Sequence, residues 1–203
     1  MKRILIIFAK EPVRGKVKTR LAPHLSQTKC LALYKELLEA TVALARGVKC
    51  GKKIIAYDFC GRNPSFLKKI ASDFEFYKQN GKDLGARMFD AFETFVTNNT
   101  KAVIIGSDSP DLPRSYISRA FEMLSKNDLV LGPAYDGGYY LIGLKEPCKK
   151  IFEGIKWSSG SVFERTLEKA KKLKKKAAVL NSWHDIDTPE DLKYFKGRHN
   201  HEI

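Results

Sequence analysis

The chain has 203 residues, of which 43% are hydrophobic, so it can bury a sizeable core and cannot be a disordered polymer. Lys and Arg number 37 against 23 Asp and Glu, and the formal net charge of +14 favours polyanionic or phosphorylated partners. No run approaches the ~18 apolar residues that cross a bilayer, and no cleavage pattern follows the apolar residues 4–9, so we expect a cytoplasmic protein without a membrane partner.

The cysteines also indicate a reducing compartment. They show no C-x-x-C spacing and lie inside apolar segments, where a free thiol behaves as a small hydrophobic group. These residues are Cys30, Cys50, Cys60 and Cys148. We therefore expect free thiols rather than disulfides.

Short apolar runs typical of β-strands alternate with segments of helical periodicity along the chain. The strand-like runs lie at residues 3–9, 53–59, 74–79, 102–107, 128–133, 139–144 and 177–183. Helical periodicity covers residues 27–46, 84–96 and 114–124. The first of these helices is expected to stop at Gly47 in a left-handed conformation.

Two further helices are predicted from the residues that would begin them. Ser161 and Glu164 have the spacing of a capping box, and residues 188–191 repeat that pattern. Between them, residues 165–176 carry a dense run of lysines, which the amphipathic pattern places on the solvated face of a helix. A nucleic-acid patch is the alternative interpretation of this run.

The alternation of strands and helices predicts a single α/β domain with three layers, because parallel strands need helical crossovers on the faces of their sheet. One connection breaks the rule, since the residues between the runs at 128–133 and 139–144 are too few for a crossover. One strand is therefore expected to run antiparallel. The domain should occupy residues 1–197, and residues 198–203 read as a tail whose His199 and His201 are minor metal candidates.

Charged residues follow the predicted strands, at the rim where ligands bind in open α/β sheets. After the first strand comes a basic loop held by Pro12 and Gly15. Acidic residues follow three later strands, namely Asp108 and Asp111, then Asp136 before Gly137 and Gly138, and finally Asp185 and Asp187. Carboxylates are ligands for Mg²⁺ or Mn²⁺, and Lys and Arg bind phosphate oxygens, so the rim predicts metal-assisted chemistry on a phosphorylated or nucleotide-diphosphate substrate.

Plainer interpretations stay open for several of these residues. Asp111 is also typical of a turn that precedes a helix, and Asp185 and Asp187 are also typical of acids near a helix N-terminus. The glycine pair can simply supply a tight connection, and the basic loop can be a solvated surface. The chain has no P-loop, no G-x-G-x-x-G after the first strand and no zinc spacing.

Six blocks of the sequence resemble, in order, the rSAM/selenodomain-associated transferase 1 family. The blocks are FAKEPVRGKVKTRLAP, GKDLGARMFDAF, IIGSDSPDLP, LVLGPAYDGGYYLIGL, IKWSSGSVFERTL and DIDTPEDL, and they span nearly the whole chain. That family belongs to the nucleotide-diphospho-sugar transferase superfamily with the GT-A fold. The resemblance implies a mostly parallel, Rossmann-like sheet with one reversed strand, in agreement with the short connection.

The resemblance also implies roles for individual residues. Lys18, Arg20 and Asp108 are the implied catalytic residues, and Asp108 with Asp187 would bind the metal. The implied nucleotide-binding residues are Ala9, Lys10, Gly15, Lys18, Thr19, Arg20, Asp83 and Arg87. The implied residues of the acceptor part of the cleft are Asp111, Asp136, Gly137, Gly138 and Trp157.

We therefore hypothesise a transferase that depends on Mg²⁺ or Mn²⁺ and uses an activated nucleotide with a small acceptor. A glycosyltransferase with an NDP-sugar donor is the leading hypothesis. Nucleotidyl transfer to a small phosphorylated acid, as in the 2-phospho-lactate guanylyltransferases, is the enzymatic alternative. A basic nucleic-acid-binding module is the alternative of another class, although aspartates at the rim would repel nucleic acid.

Overall fold

A computed structural model describes residues 1–59, 61 and 63–198. Cys60, His199 and His201, for which the sequence makes predictions, lie outside the described residues. The strands are β1 Lys2–Lys10, β2 Lys52–Asp58, β3 Glu75–Lys78, β4 Thr100–Ile105, β5 Leu129–Pro133, β6 Tyr139–Leu144 and β7 Ala177–Val179. The helices are α1 Gln27–Arg46, α2 Ser65–Ile70, α3 Leu84–Phe95, α4 Arg114–Met123, α5 Val162–Lys172 and α6 Pro189–Arg198, with a 3₁₀ turn at Lys149–Ile151.

The strands form one seven-stranded sheet in the order β3-β2-β1-β4-β6-β5-β7. Strand β1 pairs in parallel with β2 and β4, whereas β6 runs antiparallel to both β4 and β5. The predicted α/β fold with one reversed strand is therefore confirmed. The reversed strand is β6 because the connection from β5 is too short to carry the chain back across the sheet.

Strand β1 shows why the sheet needs helices on both faces. Leu5 and Ile7 point into one hydrophobic cluster, and Ile4 and Ile6 point into another on the opposite face. All four are essentially inaccessible to solvent. Helices α1 and α4 contribute to the first cluster, and α3 and α5 contribute to the second. Burial on both faces explains the continuous apolar run that predicted this strand.

Two predicted helix ends are wrong in detail. Gly47 has right-handed helical angles, φ −76° and ψ −7°, and a Cβ there would lie 2.6 Å from the Arg114 guanidinium, so glycine serves close packing at this position. Ser161 begins α5 without a side-chain cap, because its hydroxyl interacts with that of Ser159 at 3.2 Å. The Thr188–Asp191 box is confirmed, since the Asp191 carboxylate accepts the Thr188 N–H at 2.7 Å.

Helix α2 was not predicted from the sequence. It has only six residues, and its first N–H groups are bonded by a side chain from the distant basic loop. The lysine-rich α5 has the predicted orientation, with Ala170 buried and Lys171 and Lys172 exposed. Among the described residues, no helix combines the length and the apolar character that crossing a bilayer requires.

Candidate active site

A cavity of about 370 Å³ lies where the carboxyl ends of β1, β2 and β4 meet. Its wall includes five cationic side chains, which are Lys10, Lys16, Lys18, Arg20 and Arg87. The same wall includes three carboxylates, which are Asp58, Asp108 and Asp187. We call this space the first cavity. The basic loop and the acidic residues that follow distant strands therefore face one another across it, as the sequence predicted.

Lys18 is the central contact of the first cavity. Its ammonium lies 2.5 Å from Oδ1 of Asp108 and 3.0 Å from Oδ1 of Asp187, and it also donates to the Ile186 carbonyl at 2.5 Å. Its side chain is only 3% exposed. Burial by itself would lower the pKa of Lys18, but the carboxylates of Asp108 and Asp187 outweigh burial and raise it above its usual range. The lysine is therefore a permanent cation between two acids.

The backbone of the basic loop is anchored on both sides of its charges. Glu11 is buried, and its carboxylate accepts the N–H groups of Phe66 at 2.8 Å and Leu67 at 3.2 Å, which caps α2. Farther along, Val17 and Leu21 are buried in the core. These anchors explain how the loop holds exposed cations in defined positions.

Tyr34 on α1 fixes the beginning of the loop. Its hydroxyl accepts the Lys10 N–H at 2.9 Å and lies 3.4 Å from the Ser107 hydroxyl at the end of β4. Burial raises the pKa of this phenol, so it stays protonated. Lys18 has a φ of 48°, a left-handed conformation that is uncommon for a residue with a side chain. The loop therefore turns sharply at the residue that reaches the two carboxylates.

The two arginines of the first cavity differ in whether their guanidinium groups can reach a ligand. Arg20 is 55% exposed, and its guanidinium lies 3.6 Å from the Asp187 carboxylate. Arg87 is held by Asp58, with 2.6 Å between Nη1 and Oδ2, and it also donates to the Gly81 carbonyl. Arg20 is thus positioned to meet an anion that enters the cavity, whereas Arg87 is already paired within the wall.

A second cavity of about 290 Å³ adjoins the first, and the two share Arg20, Leu84 and Asp187 in their walls. The rest of its wall includes residues that follow β5, the segment before α5 and the acids after β7. Those that carry a charge or a ring are Asp136, Asp185, Tyr139 and Trp157. Arg20, Leu84 and Asp187 therefore form the common boundary of the two cavities.

Gly137 lies between Asp136 and Gly138, two residues that line the second cavity, and allows a tight turn there. Its φ is +85°, and a Cβ at this position would lie 2.0 Å from the Gly160 carbonyl oxygen. The next residue, Gly138, donates its N–H to Oδ1 of Asp136 at 2.8 Å and thereby orients that carboxylate. Gly137 is therefore needed both for a left-handed turn and for the close approach of two backbone segments.

Negative charge is concentrated where the cavities meet. Burial raises the pKa of Asp185 to about 7, and the carboxylates of Asp108, Asp136 and Asp187 add to that rise, while a hydrogen bond from Ser109 opposes it. Asp108 and Asp187 already direct oxygens at one cation, the Lys18 ammonium. Their oxygen donors also suit a hard divalent cation. Within the described residues, no set of three or more His, Cys, Asp or Glu could hold a metal by itself.

The structure brings most of the predicted site residues together. The first cavity is lined by Ala9, Lys10, Lys18, Thr19, Arg20, Arg87, Asp108 and Asp187, and the second by Asp136, Gly138 and Trp157. Four others lie outside both walls. The Asp83 carboxylate caps α3 by accepting the Ala86 N–H at 2.8 Å, Asp111 accepts the Trp183 indole N–H at 3.1 Å, and Gly15 and Gly137 supply backbone turns.

Several wall residues were not predicted. Tyr34 lies in the middle of an amphipathic helix, and its position there is typical of core packing. Asp58 ends β2, and the rule that ligands bind at carboxyl ends of strands could have identified it. Asp185 is different, because the sequence predicted it at the rim together with Asp187 but gave it no role, and it lines the second cavity.

Residues 41–159 match the family described as uncharacterized protein conserved in bacteria (DUF2064). The chain is also 32% identical, over 195 residues, to the 2-phospho-L-lactate guanylyltransferase of Methanocaldococcus jannaschii. That match covers 94% of this chain and 81% of the relative.

Two solved structures share the fold. A crystal structure from Desulfovibrio desulfuricans G20, described as a nucleotide-diphospho-sugar transferase, is 32% identical and superposes with a TM-score of 0.91, covering 100% of this chain and 90% of its own. The structure of CMP:2-keto-3-deoxy-manno-octonic acid synthetase complexed with CTP superposes with a TM-score of 0.63 at 8% identity and covers 100% of both chains. The second likeness shows a common fold and nothing more.

Proposed function

The chain belongs to the DUF2064 family and is a transferase, and we propose that it is a metal-dependent glycosyltransferase that takes an NDP-sugar as donor. Within the family we assign it to the rSAM/selenodomain-associated transferase 1 group, on the six sequence blocks quoted above. One observation carries the proposal. The buried Lys18 joins Asp108 and Asp187 in a cavity whose rim is otherwise strongly cationic.

The first cavity is proposed to bind the diphosphate of the donor. Lys10, Lys16 and Arg20 reach the cavity from an anchored loop and supply donors for phosphate oxygens. Because Arg20 is more than half exposed and lies 3.6 Å from Asp187, an entering phosphate can compete for it at little cost. Lys18 adds a fixed positive charge at the floor, where water is excluded and electrostatic stabilisation is strongest.

Asp108 and Asp187 are proposed to hold Mg²⁺ or Mn²⁺. Two carboxylates and the phosphate oxygens of a bound donor make up the ligand set that Mg²⁺ commonly has in enzymes. When bound, the metal would supply Lewis-acid stabilisation of the departing diphosphate. Lys18 contacts the same carboxylate oxygens, so its ammonium keeps the two acids close together when no divalent cation lies between them.

The proposed reaction breaks the bond between the anomeric carbon of the sugar and the diphosphate oxygen. A hydroxyl oxygen of the acceptor forms the new bond to that carbon, the nucleoside diphosphate leaves, and the hydroxyl proton passes to solvent. Arg20 would contact the leaving diphosphate and stabilise the negative charge that develops on it. Lys18 would contribute through its charge, because its three N–H donors are engaged by Asp108, Asp187 and the Ile186 carbonyl. The second cavity adjoins the diphosphate position and is the space available for the acceptor.

Guanylyl transfer is the second candidate, and the relative from Methanocaldococcus jannaschii is the observation that favours it. In that reaction the acceptor attacks the α-phosphorus of GTP, and pyrophosphate leaves. The same cations and carboxylates would serve either reaction, because both expel a phosphate-bearing group. Nucleic acid is not proposed as a partner, because the wall that carries the cations also carries three carboxylates, which suit a small diphosphate that brings a divalent cation better than an extended polyanion.

Titration calorimetry with GTP, CTP, UDP-glucose and GDP-mannose, each with and without Mn²⁺, tests the proposal. We expect an NDP-sugar to bind and its affinity to rise when Mn²⁺ is present. Preference for GTP over every NDP-sugar would favour guanylyl transfer, and the absence of binding by all four would contradict both candidates. We also propose a cytoplasmic location, which the free thiols of Cys30, Cys50 and Cys148 support.

A further inference from the structure

The second cavity has walls of two chemical kinds. Trp157, Leu84 and Val162 supply apolar surface, and Asp136, Asp185 and Asp187 supply carboxylates. We propose that this cavity binds an uncharged polyhydroxylated acceptor, a sugar or a sugar alcohol, and excludes phosphorylated acids. The inference rests on the proposed function for its biological meaning, but the selectivity of the cavity can be measured separately.

The charge of the wall is the first argument. The carboxylates of Asp136 and Asp187 face the cavity, and among the described residues of its wall the cation is Arg20, whose guanidinium is shared with Asp187 and with the first cavity. A phosphate or carboxylate in this space would be repelled by these like charges, and such a juxtaposition is costly. Hydroxyl groups can instead donate to carboxylate oxygens, and such hydrogen bonds to charged groups are among the stronger ones in proteins.

The hydrogen-bond donors of the wall are the second argument. A site for phosphate would offer several free N–H or O–H groups, but three of the donors in or beside this wall are already engaged within the protein. Gly138 N–H is bonded to Asp136, the Ser159 hydroxyl donates to the Lys156 carbonyl at 2.6 Å, and Phe163 N–H donates to the Gly137 carbonyl at 2.9 Å. The carboxylate oxygens of the wall are acceptors, and they match the hydroxyl donors of a polyol.

Trp157 is the third argument, because its ring is held in place. A Cβ on Gly85 would lie 2.3 Å from the indole, so the ring packs directly against the backbone of α3, and it also lies near Phe152. A rigid aromatic face beside carboxylates suits a ligand that presents C–H groups on one side and hydroxyls on the other. A small phosphorylated acid has no such apolar face to cover the ring.

Saturation-transfer NMR with sorbitol, methyl α-D-glucopyranoside and 3-phosphoglycerate as probes tests the inference. Each probe is measured on the full chain alone and again with GDP and Mn²⁺. We expect signals from at least one of the two uncharged probes and none from 3-phosphoglycerate. Binding of 3-phosphoglycerate in preference to the polyols, or of no probe at all, would overturn the inference.

Two variants connect the binding to the cavity. Asp136→Asn keeps the Oδ1 that receives Gly138 N–H but removes the charge, and we expect about tenfold weaker polyol binding. Asp136→Lys should reverse the selectivity towards 3-phosphoglycerate. Glu168→Gln makes the same charge change as Asp136→Asn on the exposed face of α5, and it should alter neither the polyol affinity nor the selectivity.

Nucleotide binding is measured in the same samples, so a chain that binds polyols but no nucleotide would refute the proposed function and leave this inference intact.

Discussion

The Lys18 ammonium lies 2.5 Å from Oδ1 of Asp108, although the two residues are 90 positions apart in the chain. Asp187, which is 169 positions from Lys18, accepts from the same ammonium at 3.0 Å. The contact joins the loop after β1 to the residues after β4 and β7, so it stabilises the rim of the sheet and defines the floor of the first cavity. A divalent cation and this ammonium would be attracted to the same carboxylate oxygens.

Lys18→Met should therefore lower the free energy of unfolding, and Mn²⁺ should partly restore it. Removing the ammonium leaves two neighbouring carboxylates without their shared partner. We expect the free energy of unfolding to fall by about 2 to 3 kcal/mol. This is less than for a fully buried pair, because both carboxylates reach solvent. Urea unfolding with and without MnCl₂ measures this. Mn²⁺ should stabilise the variant more than the wild type.

Lys49→Met is the matched control for that experiment, because Lys49 is an exposed lysine between α1 and β2 and lies outside both cavities. It should unfold like the wild type with or without the metal. If Mn²⁺ stabilises Lys18→Met no more than the wild type, the carboxylates do not bind the metal where the ammonium lies.

Asp108→Asn should abolish metal-dependent nucleotide binding without loss of the fold. The amide is neutral and a poor ligand for a hard cation, but it keeps the size of the carboxylate and can still accept from Lys18. Calorimetry with an NDP-sugar and Mn²⁺ gives the affinity, and circular dichroism reports the fold. Asp73→Asn, which removes an exposed carboxylate paired with Arg46, should bind normally. Wild-type affinity in Asp108→Asn would refute the assignment of this residue.

Arg20→Ala should weaken nucleotide binding about fivefold to tenfold while leaving the free energy of unfolding nearly unchanged. The side chain is 55% exposed and its ion pair with Asp187 is long, so it contributes little to stability, but it lines both cavities. The difference from the wild type should shrink as salt screens the interaction. Arg14→Ala removes an exposed arginine of the same loop that lines neither cavity, and equal effects from both variants would contradict the prediction.

Gly137→Ala should destabilise the fold by at least about 2 kcal/mol. Alanine would have to adopt a strained positive φ at this position. Its Cβ would also lie 2.0 Å from the carbonyl oxygen of Gly160, and this backbone atom cannot move away as a side chain can. Gly160→Ala is the control, since its Cβ would approach Asp136 only to 3.4 Å. Urea denaturation compares the two, and a Gly137→Ala chain as stable as Gly160→Ala would show that this turn can relax.

Local patterns were sufficient for most secondary structure but not for every helix boundary. Helix α1 has the predicted bounds because its periodicity is long and strong. Helix α2 was missed because the group that caps it, Glu11, belongs to a segment more than fifty residues away. The expected cap at Ser161 does not form because its hydroxyl interacts with Ser159 instead. The two failures have different causes, because Glu11 is distant in the chain whereas Ser159 is a near neighbour that competes for the Ser161 hydroxyl.

The amino-acid sequence by itself determined the α/β class, the reversed strand and the meeting of cations and acids at one rim, because periodicity, connection length and the order of strands leave few alternatives. Only the tertiary structure decided which side chains reach the cavities. Asp108 and Asp187 converge on Lys18, whereas Asp83 caps a helix and Asp111 accepts from Trp183. The direction of a side chain at the end of a strand depends on the segments that pack against it. These segments come from distant parts of the chain, so a local pattern does not show them.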